Sequence, residues 1–465
     1  MNRPNILFLM ADQHRWDAMG CSGGWVQTPN LDRIAAEGVR FPNCVTNAPV
    51  CIPARVSLAT GRYPHNTAVW DNCRYDLPLD TQTWMQAIRA AGYRTSVFGK
   101  THLHHHGGDL REREHYVHAY GLDDVDEIGG PRASARIQSH MTAAWKAHDL
   151  WDAYKADYEE RFRVKPHMVR PSTLPLAWFA DTYVGRQARD YLAAYDRQEP
   201  WFCWVSFGGP HEPWDAPEPY ASMYDPDAMP DPRPRPERTA DCIRGVLDER
   251  LASAPVFERG DISALRANYA GKVTLIDDQI GELLRVIEGR GELENTVIAY
   301  TSDHGEMNGD HGLIYKQNFY DGAVRVPMLL RTPETTTGAH AGTVCESPVE
   351  WFDLGPTLVD LAGATLDSQQ FARSLLPALQ DPDTTIRECA LSEFRGEVMV
   401  LDRQHKMAVN RFGQPYLLFD RRADPGEAEN LAGQPEVREI EDHLQIQILE
   451  RMIQTQIHQP RLDVQ

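Results

Sequence analysis

Apolar runs separated by polar stretches dominate the first part of the chain and predict strands that alternate with helices. Four of these runs are short, continuous and apolar, as buried parallel strands usually are. They lie at residues 4–11, 93–98, 201–207 and 296–301. Strands of this kind belong to a sheet that is covered on both faces.

Helical patterns fall between these strands. Thr28 before Pro29 is a good helix start, and Gly38 ends the pattern. Residues 81–91 and 262–289 predict two further helices, the second of them long and amphipathic. The alternation predicts the α/β fold class, with a large mixed, mostly parallel sheet sandwiched by helices.

Three segments do not follow this alternation. Residues 104–175 are polar and weakly periodic, so we expect an excursion from the core that helps to shape a pocket. Residues 210–236 are rich in Pro and Asp and predict a loop. Later the runs shorten, and a last helix is predicted near 435–457. We therefore divide the chain into a large α/β domain at 1–370 and a C-terminal α+β subdomain at 371–465, with a small antiparallel sheet and the terminal helix.

The charge balance limits the classes of partner. Lys and Arg number 47 against 67 Asp and Glu, which gives a formal net charge of −20. A chain this acidic repels nucleic acid and anionic membranes, so we expect neither as a partner. It also repels an anionic substrate. Any anion site must therefore carry its own Lys, Arg or metal ion.

We expect no targeting or membrane segment. The apolar run at residues 6–10 is too short for the core of a signal peptide, and no run is long enough to span a bilayer. A cytoplasmic protein with reduced thiols is the expectation. Eight cysteines in 465 residues do not form a disulfide scaffold, which leaves Cys51 free for chemistry. The sequence does not give the oligomeric state, and a homo-oligomer stays open.

Polar residues cluster where the predicted strands end. The clusters lie at residues 12–13, at 99–102, at 302–305 and at His211. Because ligands bind beyond the carboxyl ends of strands in open α/β sheets, we expect these clusters to converge. Carboxylate, amide and imidazole groups flanked by cations predict a metal site. Such oxygen-rich ligands suit a hard divalent ion such as Ca²⁺, Mg²⁺ or Mn²⁺.

Short motifs along the chain resemble those of a known family. The run CIPAR at residues 51–55, followed by LATGR at 58–62, resembles the type I sulfatase motif, C-x-P-S/A-R with a downstream L-T-G-R. Further motifs agree in the family's order: NIL at 5–7 leading to Asp12, TPNLD at 28–32, GKTH at 99–102, SDHG at 302–305, HG at 311–312 with Lys316, and LFD, DP and ENL at 418–420, 424–425 and 429–431. The chain thus resembles the formylglycine-dependent sulfatases of the alkaline phosphatase superfamily over nearly its whole length.

The resemblance implies a covalent mechanism. In this family a separate formylglycine-generating enzyme oxidises the motif cysteine, here Cys51, to the aldehyde formylglycine. One hydroxyl of its hydrate attacks the sulfur of a sulfate ester and expels the alcohol. The second hydroxyl then loses its proton, sulfate leaves and the aldehyde returns. The implied function is hydrolysis of a small-molecule sulfate ester by the 1–370 domain, with arylsulfatase-like features.

The resemblance also assigns roles to individual residues. The implied ligands of one divalent metal, with Ca²⁺ preferred over Mn²⁺ or Mg²⁺, are Asp12, Gln13, Asp303 and His304. Arg55 would hold the hydrate and the metal ligands in place, while Lys100 and Lys316 would neutralise the sulfate oxygens. His102 would be the base for the second hydroxyl. His211 would protonate the leaving oxygen, and Asn72 would line the pocket.

Two departures from the family pattern leave alternatives open. Gln13 stands where many relatives carry a second Asp, and related phosphonate monoester and phosphodiester hydrolases also carry Gln there. That hydrolase activity is the first alternative, although the GKTH element at 99–102 is sulfatase-like. Ala54 stands where Ser is commoner, and the modification systems tolerate Ala at this position. The second alternative is a non-catalytic anion-binding protein that keeps Cys51 unmodified.

Other polar and aromatic residues have simpler interpretations. The tract HHH at residues 104–106 resembles a metal site, but consecutive residues do not easily face one ion, so we expect a solvated or pocket-rim loop. Four aromatics at near-helical spacing are interpreted as packing: Trp145, Trp151, Tyr154 and Tyr158. Glu306 and Asp310 are expected to order a loop rather than to bind metal.

Overall fold

A central eight-stranded sheet organises the described residues, which are 3–164, 167–338 and 340–457 of this computed structural model. The strands in these ranges are β1 (Asn5–Asp12), β2 (Val39–Arg40), β3 (Cys44–Val45), β4 (Arg94–Gly99), β5 (Asp124–Glu127), β6 (Trp201–Pro210), β7 (Thr296–Ser302), β8 (Met328–Arg331), β9 (Thr343–Val344), β10 (Val349–Glu350), β11 (Ala390–Phe394), β12 (Glu397–Leu401), β13 (His405–Val409) and β14 (Pro415–Asp420).

Helices connect most of these strands. In the described ranges they are α1 (Pro29–Ala36), α2 (Cys51–Thr60), α3 (Pro64–Thr67), α4 (Trp84–Ala90), α5 (Glu114–Ala119), α6 (Gly130–Ser134), α7 (His140–Ala147), α8 (Trp151–Val164), α9 (Ala180–Ala194), α10 (Val246–Ser253), α11 (Arg259–Gly289), α12 (Asp321–Val324), α13 (Pro333–Thr337), α14 (Leu354–Leu361), α15 (Leu376–Gln380) and α16 (Arg438–Gln454). Among the described residues, no helix combines the length and the apolar composition needed to cross a bilayer.

The order of strands in the central sheet is β5-β4-β6-β1-β7-β8-β2-β9. The five strands from β5 to β7 are parallel to one another. Strand β8 is antiparallel to both β7 and β2, and β9 returns parallel to β2. The prediction of a mixed, mostly parallel sheet is confirmed.

Strand β1 shows why the sheet needs cover on both faces. Alternate side chains of a strand point to opposite faces, and Ile6, Phe8 and Met10 pack in a core with α4 and α14. Leu7, Leu9 and Ala11 pack in a second core with α1, α9 and α11. The continuous apolar run in the sequence follows from this double burial.

Helix α1 is fixed by a carboxylate from another helix. Its N-cap residue, Thr28, makes no capping hydrogen bond from its side chain. Instead the Asp277 carboxylate on α11 accepts from the backbone N–H groups of Asn30 at 3.1 Å and Leu31 at 2.8 Å. These are donors that the helix itself leaves unsatisfied. Burial raises the pKa of Asp277 to about 6.

The segment at 104–175 is more regular than its sequence predicts. It contributes β5, which pairs parallel with β4 at the edge of the central sheet, and the helices α5 to α8. The prediction of an excursion from the core is therefore wrong for β5. The strand was missed because its sequence, DVDE, is short and acidic; Asp124 is held there by Arg94 and by the Tyr191 hydroxyl.

A second, four-stranded antiparallel sheet lies near the C-terminus. Its order is β11-β12-β13-β14, and α16 follows it. The sheet shares a buried apolar cluster with residues from the first part of the chain, among them Tyr63, Phe319 and Phe352. The predicted small antiparallel sheet and last helix agree with this arrangement, whereas the division at residue 370 stays a prediction.

A buried ion cluster also joins the two parts. Lys406 on β13 donates to the Asp321 carboxylate at 2.7 Å and contacts the Glu427 carboxylate, and Arg325 donates to Asp321 at 2.8 Å. Burial would raise the pKa of Asp321, but Lys406 and Arg325 hold it well below its usual value. The Asp321 carboxylate is therefore charged and depends on these cations.

Replacing Lys406 with Met keeps the length of the side chain and removes its charge. Because two buried carboxylates then lose a partner, we expect the free energy of unfolding to fall by about 3–5 kcal/mol. Urea unfolding followed by circular dichroism measures this. The matched control is Lys155→Met on α8, whose ammonium pairs with the exposed Asp152 and whose loss should cost at most about 1 kcal/mol. Equal losses in both variants would contradict the structural role of the cluster.

Candidate active site

The predicted polar clusters converge at the carboxyl edge of the central sheet. Strands β1, β4, β6 and β7 end there, and helix α2 begins there. A cavity of about 280 Å³ opens at this edge. Six of the predicted site residues line it: Cys51, Asn72, Lys100, His102, His211 and Lys316. Of the other five predicted residues, Arg55 lies on α2, and Asp12, Gln13, Asp303 and His304 lie at the ends of β1 and β7.

Cys51 is the first residue of α2, and its side chain is 1% exposed. Its Sγ lies 3.1 Å from His304 Nε2. Burial would raise the pKa of the thiol, but Lys100, Lys316 and His304 hold it well below its usual value. The cavity therefore stabilises negative charge at this position.

Arg55 lies one helical turn after Cys51 and is buried. Its Nε donates to Asp303 Oδ2 at 2.8 Å, and its Nη2 donates to Asp12 Oδ2 at 3.1 Å. Its Nη1 donates to the Lys100 carbonyl oxygen at 2.5 Å. One guanidinium thus connects α2 to the ends of β1, β4 and β7.

Four side chains form a group with the chemistry of a metal site. Ligand atoms of Asp12, Cys51, Asp303 and His304 all lie within 4.8 Å of one another, and all four residues are buried. Asp12 Oδ1 has no hydrogen-bond partner among the described residues, although it is buried. An orphaned carboxylate oxygen of this kind fits a cation.

Gln13 adjoins this group but faces another set of side chains. Its backbone has a φ of 72°, and its N–H donates to Asp303 Oδ1 at 3.1 Å. Its side-chain oxygen accepts from Lys316, while its side-chain nitrogen donates to Glu212 at 2.9 Å and to Glu306. Its predicted role as a metal ligand stays a prediction.

Two lysines supply the local positive charge that the acidic chain requires. Lys100 Nζ lies 2.5 Å from Asp12 Oδ2, and Lys316 Nζ contacts the Gln13 side-chain oxygen. Burial would lower the pKa of Lys316, but the negative charges of the Cys51 thiolate and Glu212 raise it. The Lys316 ammonium group therefore faces the cavity as a cation, and Lys100 lines the same cavity.

Two histidines flank Cys51 with lowered pKa values. Burial lowers the pKa of His102 well below its usual value, and Lys100 lowers it further. Burial also lowers the pKa of His211, against the raising effect of Glu212. His211 Nδ1 donates to the Glu212 carbonyl oxygen at 2.7 Å. Both imidazoles are therefore neutral at pH 7 and able to accept a proton.

Asn72 holds the start of helix α2. Its Oδ1 accepts from the backbone N–H of Ile52 at 2.9 Å. The N-cap residue of the helix, Val50, has no side-chain group to do this. Asn72 therefore fixes the backbone next to Cys51 as well as lining the cavity.

Several residues of the cavity wall were not predicted from the sequence. They are Gly129, Gly130, Pro131, Arg132, Ala133, Glu212, Arg250, Tyr315 and Gln317. The position of Glu212 directly after His211 was a signal in the sequence, and the structure places Glu212 beside Gln13. No pattern in the sequence pointed to Arg132 or Arg250. They reach the cavity from α6 and α10, whose positions depend on tertiary packing.

The tract at residues 104–106 is not the solvated or pocket-rim loop that was predicted. His104 and His106 are buried on Glu127, at 2.6 Å and 3.1 Å from its carboxylate oxygens, and the Thr101 hydroxyl also donates to this carboxylate. The prediction failed because alternate residues of the tract turn inward. Glu127, the last residue of β5, gives them a partner that only the folded chain brings close.

Glu127, His104 and His106 also have the composition of a metal site. Their surroundings favour a hydrogen-bonded network instead. Burial would lower the pKa of His104, but Glu127, whose carboxylate lies within hydrogen-bond distance of its Nε2, raises it. Burial would raise the pKa of Glu127, but His104 and His106 hold it well below its usual value. The network anchors the loop that carries Lys100 and His102.

The predicted packing and loop-ordering roles are consistent with the structure. Trp145, Tyr154 and Tyr158 are buried in the core beside α9 and α11. Glu306 accepts from the backbone N–H groups of Asn308 and Tyr315. Asp310 pairs with Arg15 and Arg266.

Two family profiles match the chain. The profile described as "Sulfatase" matches residues 4–364, which is more than half of the chain. The profile described as "N-sulphoglucosamine sulphohydrolase, C-terminal" matches residues 309–454. Together they span both sheets.

Individual proteins agree with these profiles. The multifunctional alkaline phosphatase superfamily protein PehA of Trinickia caryophylli is 29% identical, over 94% of this chain and 92% of its own. An arylsulfatase of Clostridium perfringens is 27% identical, over 95% of this chain and 93% of its own length. The phosphonate monoester hydrolase of Agrobacterium radiobacter superposes with a TM-score of 0.78, at 24% identity over 98% and 96% of the two chains, which confirms the fold.

Replacing Glu127 with Ala removes the shared acceptor of Thr101, His104 and His106. We expect the free energy of unfolding to fall by about 3–5 kcal/mol, because buried polar groups lose a charged partner. Guanidinium unfolding followed by tryptophan fluorescence measures the change. The control is Glu114→Ala, whose carboxylate pairs with the exposed His140 and whose removal should cost at most about 1 kcal/mol. If both variants are equally stable, the network does not anchor the loop.

Proposed function

Because the chain belongs to the sulfatase family, we propose that it hydrolyses sulfate monoesters to an alcohol and inorganic sulfate. The observation that carries the proposal is the position of Cys51. It lines the cavity beside a group of carboxylate and imidazole ligands, and Lys100 and Lys316 lower the pKa of its thiol. An anionic ester that enters this cavity meets a nucleophile precursor among positive charges.

In this proposal the working nucleophile is formylglycine made from Cys51 by a separate formylglycine-generating enzyme. A hydrated aldehyde offers two hydroxyls on one carbon, which ordinary side chains do not supply. The lowered pKa of the Cys51 thiol supports the assignment, because the same surroundings stabilise a hydroxyl that loses its proton. Arg55 fixes the start of α2 relative to Asp12 and Asp303 through its two ion pairs.

A divalent cation fits beside this residue. Asp12, Asp303 and His304 would hold it, with Gln13 as the fourth proposed ligand. The buried Asp12 Oδ1, which has no hydrogen-bond partner within the described ranges, supports the fit. The oxygen-rich donor set suits Ca²⁺ first, with Mn²⁺ or Mg²⁺ as alternatives. Such a cation would lower the pKa of the hydrate hydroxyl and polarise the sulfuryl oxygens.

The surrounding residues divide the remaining work. Lys100 and Lys316 bind the sulfate oxygens, and Asn72 shapes the cavity beside them. One hydrate hydroxyl adds to sulfur as the ester S–O bond breaks. The neutral His211 imidazole accepts the proton of that hydroxyl and passes it to the departing alcohol oxygen. His102 then takes the proton of the second hydroxyl. The bond between carbon and the sulfate oxygen breaks, sulfate leaves, and the aldehyde re-forms.

A second candidate is hydrolysis of phosphonate monoesters or phosphodiesters at the same site. Gln13 favours it, since it replaces a carboxylate that many sulfatases carry. The pairing of Lys316 with the Gln13 oxygen, rather than with a carboxylate, leaves more positive charge for a substrate. A third candidate, anion binding by unmodified Cys51, predicts no turnover.

Expression of the chain beside a formylglycine-generating enzyme should convert Cys51. Peptide mass spectrometry of the segment around residues 51–55 should then find sulfur replaced by oxygen. The Cys51→Ala variant should lose at least about 10³-fold in kcat, because no other group supplies the nucleophile. Cys21→Ala, at a partly exposed thiol outside the cavity, serves as the control and should keep full activity. Full retention of sulfur at Cys51 in an active enzyme would reject the mechanism.

Substrate comparison separates the two hydrolase candidates. We expect the modified enzyme to hydrolyse p-nitrophenyl sulfate with a higher kcat/KM than a phenyl phosphonate mono-p-nitrophenyl ester. The physical reason is that Lys100 and His102 together surround the monoanionic sulfuryl group. Release of p-nitrophenol, followed by absorbance, measures both reactions under the same conditions. A large rate advantage for the phosphonate would reverse the order of the two candidates.

A further inference from the structure

The outer wall of the cavity carries positive charge that the sulfate group does not use. Arg132 and Arg250 both line this wall, together with Tyr315. The guanidinium carbons lie 5.4 Å and 5.9 Å from the centre of the Tyr315 ring, so both cations border this ring. These residues belong to no motif discussed above. They therefore point to the part of the substrate beyond the sulfuryl group.

The cations of the cavity differ in how they are paired. Lys100 is paired with Asp12, and Arg132 with the Glu212 carboxylate. Arg250 makes no ion pair with any carboxylate in the described part of the chain. Its Nη2 donates to the Ile314 carbonyl oxygen at 2.9 Å, and its buried Nε has no hydrogen-bond partner there.

An unpaired, partly buried guanidinium is costly unless a ligand compensates it. Burial lowers the pKa of Arg250, which reflects this cost. The rest of the chain makes the position more unusual, because 67 acidic residues outnumber 47 basic ones. Arginine presents a planar fork of donors that matches a carboxylate or sulfate with two parallel hydrogen bonds.

The size and charge of the cavity limit the substrate further. Its volume of about 280 Å³ lies at the lower end of ligand pockets, which run from about 300 to 1,000 Å³. This accommodates a sulfuryl group and a ring-sized alcohol portion. A quaternary ammonium group such as that of choline sulfate is disfavoured, because two guanidinium groups border the aromatic ring that it would need.

We propose that Arg250 binds a second oxyanion, a carboxylate or a second sulfate, on the alcohol portion of a compact sulfate monoester. The substrate is then a dianion whose sulfuryl group lies between Lys100 and Lys316 and whose ring contacts Tyr315. Arg132, neutralised by Glu212, borders the same region without an unpaired charge. This inference rests on the proposed sulfatase function and names its substrate class.

The test compares phenyl sulfate, 4-carboxyphenyl sulfate, 1,4-phenylene disulfate and choline sulfate on the modified full-length enzyme. One charge-assisted contact corresponds to roughly ten- to hundredfold in KM, so both dianions should have a KM lower than phenyl sulfate by that factor. Choline sulfate should be the poorest substrate. The dianion with the lower KM identifies the preferred oxyanion.

The Arg250→Met variant, which keeps the length of the stem, should remove this advantage and change the KM of phenyl sulfate less than twofold. Arg250→Lys should restore part of it, as a point charge without the fork. The matched control is Arg244→Met, just before α10, whose guanidinium pairs with Asp248 outside the cavity. It should leave all four values unchanged. Equal KM values for phenyl sulfate and the dianions, or equal losses on all substrates in Arg250→Met, would overturn the proposal.

A binding measurement keeps this result separate from the proposed function. Cys51→Ala cannot turn over substrate, so isothermal titration calorimetry can compare 4-carboxyphenyl sulfate with phenyl sulfate on that variant and on Cys51→Ala/Arg250→Met. Tighter binding of the carboxylated ester that depends on Arg250 supports the subsite even if the modified enzyme hydrolyses neither compound. Turnover of both without an Arg250-dependent difference in affinity leaves the sulfatase function standing and rejects the subsite.

Discussion

The guanidinium of Arg55 is buried, and the site depends on the two carboxylates that compensate its charge. Asp12 and Asp303 reach it from the ends of neighbouring parallel strands, β1 and β7. An unpaired charge at this depth would cost several kcal/mol, so the register of the sheet and the position of α2 are set together. This arrangement also positions Cys51, because Cys51 is the first residue of the helix and Arg55 lies one turn later.

The electrostatics of the cavity follow from the same pairing. Arg55 satisfies one oxygen of each carboxylate, and the second oxygen of Asp12 has no hydrogen-bond partner in the described part of the chain. Lys100 and Lys316 line the same cavity as Cys51. A strongly acidic protein thus presents a small cationic interior at one edge of its sheet. Burial, rather than the number of lysines, gives these charges their effect, since solvent screens them little.

Much of this was accessible from the sequence, and the exceptions share a physical cause. The strands, the mixed sheet and the convergence of residues 12–13, 99–102 and 302–305 followed from apolar runs with polar ends, which are local signals. Strand β5 was missed because an acidic edge strand has no apolar pattern. His104 and His106 were misjudged, and Arg250 was overlooked. Their burial depends on partners distant in sequence, Glu127 and the wall of a cavity, that no local pattern encodes.

The depth of Cys51 has a consequence for the order of events in the cell. In the folded chain Cys51 is 1% exposed. Arg55, the last residue of the motif at 51–55, donates hydrogen bonds to Asp303, to the Lys100 carbonyl oxygen and to Asp12, at the ends of three strands. An enzyme that reads the segment at residues 51–55 as an extended peptide cannot reach it once α2 has packed. Under the proposed mechanism, modification of Cys51 therefore competes with folding. A chain that folds first would keep its thiol, whatever the arrangement of its cavity.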